Sequence, residues 1–229
     1  MVNVVCMKWG TVYGPHYVDR LYRGIARHLH RPFRFVCFTD DPAGIDEEIE
    51  CMPLPPIDLP TDFMYSALRK ISLFAPKVAD LEGPTLFLDL DVAIVDDIGC
   101  FFDHPGEFCI IHNWIERRKT ILRARPRVGN SSVFRLVLGD QTQVFDDLNR
   151  DPMRAITGYP TEQAYMTSQV RGLTFWPESW CRSFKRHCVP PAPLNLLIPP
   201  RLPAGTKIVV FHGRPNPDEA AAGFAGPLH

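Results

Sequence analysis

The chain has 229 residues, 45% of them apolar, which is enough material for one large α/β domain with a real core. Its 25 basic and 26 acidic side chains leave a net charge of −1. That balance excludes a dedicated nucleic-acid or polyanion binder, which relies on a large excess of Lys and Arg. No run approaches the ~20 apolar residues that span a bilayer. Residues 1–7 are too short for an export core and lead straight into Lys8, Trp9 and Gly10, so no signal peptide is expected. The expectation is a cytoplasmic protein, soluble or peripheral to the inner face of a membrane. Seven cysteines without a Cys-x-x-Cys pair argue against a disulfide framework or a zinc site. Cys6, Cys37 and Cys109 lie in apolar runs, where Cys packs as a small core residue.

In chain order, residues 2–7 form an apolar run suited to a strand buried on both faces. Residues 17–29 follow with Val18, Leu21, Tyr22, Ile25 and Leu29 at helical spacing, and Pro32 ends that helix. Residues 33–39 read as a second strand, closing on Asp40 and Asp41. Strand, helix, strand at this spacing predicts a βαβ unit and a parallel sheet. Residues 53–60 are a proline-rich connector and 64–78 are expected to be helical apart from Pro76. Residues 85–95 give the strongest strand pattern in the chain. Further strands are expected at 107–113, 129–138, 173–176 and 207–211. Helices are expected at 141–148 and at 161–170, the latter with Thr161 as N-cap. Residues 117–127 are basic and weakly patterned, and 189–203 form a second proline-rich loop. One domain is expected over 1–214. The tail 215–229, rich in Ala, Gly and Pro, is expected to be partly disordered.

The stretch TLFLDLDVAIVDD carries the most chemistry. Within a continuous strand Asp89 and Asp91 share one face, where two buried carboxylates repel and lose hydration. A divalent cation resolves that conflict, since hard oxygen ligands suit Mg²⁺ or Mn²⁺ with water and phosphate completing the shell. Ligand sites of open α/β sheets lie at strand C-terminal ends, which is where this pair is expected. The plain alternative is a strand end whose acids face water, as Asp96 and Asp97 are expected to do.

Four features, in order along the chain, resemble the GT-A glycosyltransferases, above all the retaining enzymes of glycosyltransferase family 8 and their bacterial relatives. They are VVCMKWGTVY, LFLDLDVAIVDD, GNSSVF, and the pair TEQAYM and VVFHGRPNP. The resemblance implies a Rossmann-like, mixed but mostly parallel sheet flanked by helices. It also implies a nucleoside-diphosphate sugar as donor, with a UDP-sugar favoured, transfer with retention, and a Mn²⁺ or Mg²⁺ cofactor. The acceptor stays open: a glycan, a lipid-linked glycan or a protein.

By the same resemblance Asp89, Asp91 and His212 are the metal ligands, and Gln163 and Glu162 stand at the reacting face of the sugar. Asn130 and Ser131 would bond donor hydroxyls, and Thr11, Tyr13 and Asp40 would hold the nucleoside. Arg69 and Lys70 could approach the donor. Arg214 stands in for the Lys of the usual His-x-Gly-x-x-Lys-Pro ending, from which this sequence departs. Each has an ordinary alternative: a surface histidine at 212, a first helical turn at 162–163, a polar turn at 130–131, a packing residue at 13, a turn acid at 40, a solvated helix face at 69–70. Two other functions compete. A haloacid-dehalogenase-like phosphatase also uses Asp-x-Asp with Mg²⁺, but near the start of its domain, and a non-catalytic sugar-nucleotide binder would keep the same pocket.

Overall fold

The computed structural model describes residues 1–114 and 128–223. The basic segment 117–127 lies outside the described residues. The first unit is β1 (Val2–Lys8), α1 (Pro15–His28) and β2 (Phe33–Thr39), with β1 and β2 parallel and in register from Val2 opposite Phe33 to Lys8 opposite Thr39. A short third strand, β3 (Glu50–Pro53), not expected from the sequence, adds to the edge of β2 in parallel. Next comes β4 (Pro84–Leu88), parallel to β1 on its other side. The sheet continues through β7 (Gly129–Val137) and β6 (Phe108–His112), both joined antiparallel, and ends at β8 (Leu173–Phe175), parallel to β6. The seven strands thus run β3-β2-β1-β4-β7-β6-β8.

Alternation along the strands fills both faces with apolar side chains. Val4, Cys6, Phe35, Cys37, Leu86 and Leu88 pack under Val18, Leu21 and Ile25 of α1. Val5, Met7, Val36, Phe38 and Phe87 face the other way, toward Leu68, Ile71 and Phe74. The first face also carries the short α2 (Cys100–Asp103), and on the second lie the helices α3 (Gln143–Arg150), α4 (Pro152–Gly158) and α5 (Glu162–Gln169). Helix α4 was not expected from the sequence; its Asp151 cap accepts from the Arg154 N–H.

Two local expectations need correction. Residues 64–78 do not form an α-helix; the chain winds as short 3-10 turns at Thr61–Phe63 and Ala67–Phe74. The hydroxyls of Ser66 and Ser72 donate to the Phe63 and Arg69 carbonyls three residues back, and such side-chain bonds compete with the wider helical ladder. The apolar stretch 85–95 is not one strand either. It breaks after β4 and resumes as β5 (Val92–Ile94) in a separate three-stranded sheet. There β10 (Ile208–Val210) lies between β5, antiparallel, and β9 (Cys181–Ser183), parallel. Beyond the second sheet lies a helix, α6 (Pro217–Gly223), whose Asp218 pairs with His16 and Arg20 of α1.

Candidate active site

The site is built where the chain leaves one sheet for the other. Asp89 is still in the main ladder, its N–H donating to the Ser132 carbonyl at 2.9 Å. Two residues later the Asp91 carbonyl accepts from the Phe211 N–H at 3.0 Å, extending the β5–β10 ladder. The change of sheet takes place over Asp89–Asp91, so strand alternation does not set the directions of the two carboxylates. They nonetheless line the same cleft, together with Met7, Trp9, Val12, Tyr13, Ala67, Lys70 and Leu90 around about 240 Å³.

Charge is unevenly matched there. Lys70, buried on its 3-10 turn, binds Asp89 at 2.7 Å and 2.8 Å to the two oxygens. Among the described residues Asp91 pairs with no cation and instead accepts from the Tyr13 hydroxyl, which donates to its Oδ2 at 3.1 Å. Burial, and then the neighbouring Asp89 charge, push the Asp91 carboxyl up to about 7, against the smaller opposing pull of Lys70. Burial, and next the Asp91 carboxylate, raise the Tyr13 phenol in turn. The pocket lining therefore holds, among the described residues, one carboxylate more than it holds cations to match.

Behind Lys70, β7 and α5 join the site through hydrogen bonds. The β6–β7 register slips between Ile110, opposite Phe134, and Ile111, opposite Asn130, leaving extra residues on β7 at Ser131–Val133. Such a bulge bends a strand and re-aims its side chains. Here it lets Ser131 serve two neighbours: its carbonyl and hydroxyl lie 3.3 Å from Lys70 Nζ, and its hydroxyl donates to Glu162 Oε1 at 2.7 Å. The Ser131 N–H donates to Gln163 Oε1 at 3.3 Å. Thr161 caps α5 as the sequence suggested, accepting from the Ala164 N–H, and Thr167 ties the helix to the Gly129 N–H at 2.9 Å. Lys70, Asp89, Ser131, Glu162 and Gln163 are thus one hydrogen-bonded chain drawn from four remote segments.

The other expected residues stand apart from it. Asn130 turns its side-chain oxygen to the Ser132 N–H at 3.1 Å. Asp40 accepts from the Gly10 N–H at 3.1 Å and so braces the loop that carries Tyr13. Thr11 is exposed on that loop and is not part of the cleft lining. Arg69 is buried and donates to the Met64 carbonyl. Arg214 is solvent-facing, with Glu219 at 3.7 Å.

His212 follows β10 and is beside Asp91 along the backbone, but its Nε2 lies 2.7 Å from Ser183 Oγ and its ring tilts against Trp114. Consequently, among the described residues no three His, Cys, Asp or Glu side chains gather closely enough to hold a metal ion. The donor set is still chemically suited to one. Two carboxylates short of counter-charge and an imidazole whose pKa is lowered by burial, then by Lys185 and Arg186, offer the oxygen and nitrogen donors that Mn²⁺ or Mg²⁺ accepts.

Sequence reasoning missed two contributors. Trp9 donates to the Tyr65 carbonyl at 2.9 Å and walls the cleft, and Arg20 donates to the Leu90 carbonyl at 3.2 Å, holding the turn between the two acids. Arg20 belongs to the helical pattern of residues 17–29, which gives no hint that it reaches residue 90.

Known structures place this architecture. Galactosyltransferase LgtC, in complex with donor and acceptor sugar analogs, superposes with a TM-score of 0.58 at 14% identity, covering 99% of this chain and 98% of that one. The fold is that of the GT-A glycosyltransferases. An active-site mutant of LgtC matches with a TM-score of 0.57, also at 14% identity and with coverage of 99% and 98%. The bifunctional glycosyltransferase WbbM matches at 0.59 and 12% identity over 99% of this chain and 50% of its own. No protein-family model and no curated relative matches the sequence. The haloacid-dehalogenase alternative finds no support in this fold, because the Asp pair follows the fourth strand, after a complete βαβ unit.

Proposed function

We propose that the protein is a glycosyltransferase that takes a nucleoside-diphosphate sugar, a UDP-sugar by preference, and transfers the sugar with retention. The observation that carries this reading is one cleft lined by an undercompensated carboxylate pair and a buried lysine, with the start of α5 linked to that lysine through Ser131, within a GT-A fold. Asp89, Asp91 and His212 would hold Mn²⁺ or Mg²⁺, a Lewis acid for the diphosphate whose charge grows as the glycosidic bond breaks. Lys70 adds a fixed positive charge beside that position and, by binding Asp89, orients it. Ser131 and Asn130 offer hydrogen bonds to the sugar. Gln163 and Glu162, held through Ser131, face the reacting carbon. Tyr13 offers its ring to the base, with Thr11 and Asp40 on the same rim, and Arg214 is the nearest equivalent of the family's diphosphate-binding lysine. The acceptor is a glycan, a lipid-linked glycan or a protein.

The test is a thermal-shift screen of nucleoside diphosphates and their sugars with and without Mn²⁺, followed by hydrolysis and transfer assays. Stabilisation by a nucleoside diphosphate only when Mn²⁺ is present, lost in Asp91→Ala, is the expected result. Calorimetric titration of Asp91→Ala indistinguishable from wild type would sink the metal assignment. Donor binding without hydrolysis or transfer across an acceptor panel would make the protein a binder instead.

A further inference from the structure

Away from the cleft, one surface segment combines two properties that ordinary loops avoid. Between β9 and β10 the chain runs through a proline-rich excursion whose Leu196 and Leu197 are 82% and 84% exposed, with Leu194, Ile198 and Leu202 exposed beside them. This is not a loose coil. The Leu196 N–H donates to the Pro193 carbonyl, the Leu197 and Ile198 N–H groups donate to the Leu194 carbonyl, and the base is tied by Arg201 N–H to the Cys188 carbonyl at 2.9 Å. A short 3-10 turn, Leu194–Leu196, sets the apolar side chains outward, where each leaves water-exposed area that the fold does not use.

The second property is charge. From residue 181 to residue 207 the sequence contains Arg182, Lys185, Arg186, Arg201 and Lys207, and not one Asp or Glu, in a chain whose overall charge is −1. Lys207 is paired with Asp96, but Lys185, Arg186 and Arg201 are exposed at the foot of the leucine tip. Apolar side chains exposed beside a basic stretch free of Asp and Glu complement a bilayer surface, with acyl chains below and anionic headgroups above them. A second protein is a poorer fit. The tip is a single turn whose area is on the order of a few hundred Å², short of the roughly 800 Å² per partner of a stable protein interface.

We propose that the segment 190–202, with Lys185, Arg186 and Arg201, docks the protein on an anionic phospholipid surface. It does so as an interfacial anchor, since no described helix is long and apolar enough to cross a membrane. The anchor adjoins the candidate site: Ser183, next to the basic turn, holds His212, and Lys185 Nζ lies 3.5 Å from where a Cβ on Gly213 would stand. Docking therefore gives the site access to acceptors carried in or on that surface.

The experiment is co-sedimentation of the full chain with vesicles of phosphatidylcholine alone and of equal parts phosphatidylcholine and phosphatidylglycerol. The wild type is expected to bind the mixed vesicles, to be released by high salt, and to bind the neutral ones poorly. Leu196→Ser with Leu197→Ser should weaken binding by about tenfold or more with an unchanged melting temperature, because both side chains are already in water. Lys185→Gln with Arg186→Gln should weaken it separately and flatten the salt dependence. Failure of the wild type to bind mixed vesicles, equal binding to both kinds, or a leucine variant that binds like wild type overturns the proposal. So does a concentration-dependent dimer that the leucine variant abolishes, which would assign the patch to a second copy. Donor binding in solution, measured alongside without vesicles, keeps this outcome separate from that of the proposed activity.

Discussion

Asp91 should be a residue that the metal-free protein is better off without. Its carboxyl is held at about 7 against an ordinary 3.8, chiefly by burial and next by Asp89. A displacement of that size corresponds to about 4 kcal/mol of disfavoured ionisation. Because the group lines an open cleft, solvent screens part of this, and about 1–3 kcal/mol is a fair expectation. The sign follows from proton binding. A carboxyl whose folded value lies above its unfolded value holds its proton more tightly in the native state. Its contribution is full below about pH 4 and is lost as the pH rises through about 7.

Asp91→Asn removes the ionisation while leaving an oxygen to accept from Tyr13. In urea melts with a chelator present, the variant should match wild type near pH 4 and exceed it by about 1–3 kcal/mol near pH 8. Added Mn²⁺ should stabilise wild type and leave the variant unmoved. A variant no more stable than wild type at pH 8, or one whose gain is the same at both pH values, would refute the claim that this carboxylate is strained.

Lys70→Met leaves Asp89 beside Asp91 without its cation; Asp89 is 22% exposed, so denaturant melts should show a loss of about 1–3 kcal/mol. The same loss on making Lys70→Met in an Asp89→Asn background would point to packing against Phe87 instead, which Lys70 Nζ approaches at 5.2 Å from the ring centre. Gly129→Ala would put a Cβ 2.6 Å from Ile110 Cδ1 at the β6–β7 bulge, so it should cost about 1–3 kcal/mol and weaken donor binding by shifting Ser131. A variant with wild-type melting and donor affinity would show that the bulge tolerates movement. Burial pushes the Cys6 and Cys181 thiols far up, so in thiol titration at neutral pH both should react only on unfolding. Rapid labelling of either in the native protein would count against the packing described.

Much of the sheet was legible because buried strands and one amphipathic helix leave strong periodic marks. The apolar runs at 2–7 and 33–39, with Val18, Leu21 and Ile25 spaced between them, correspond to β1, β2 and α1. The elements that escaped notice are short, and they depend on partners distant in the chain. Three-residue β9 gains its identity only from pairing with β10, and β3 only from lying beside β2. The helical spacing at 64–78 misled for a related reason: 3-10 and α winding bury similar residues, and local serine bonds decided between them.

For the candidate site, residue types alone determined that two carboxylates two positions apart, flanked by apolar residues, would be in electrostatic difficulty. They also suggested a cation as the remedy. What they could not determine was how the carboxylates come to share a cleft, because a hydrophobic run carries no mark of where a strand changes sheets. Only the tertiary structure broke β4 from β5 at Asp89–Asp91, assigned Lys70 to one acid and Tyr13 to the other, and turned His212 toward Ser183. The physical reason is range: propensity and periodicity act over a few residues, whereas charge pairing joins groups brought together by the packing of the whole chain.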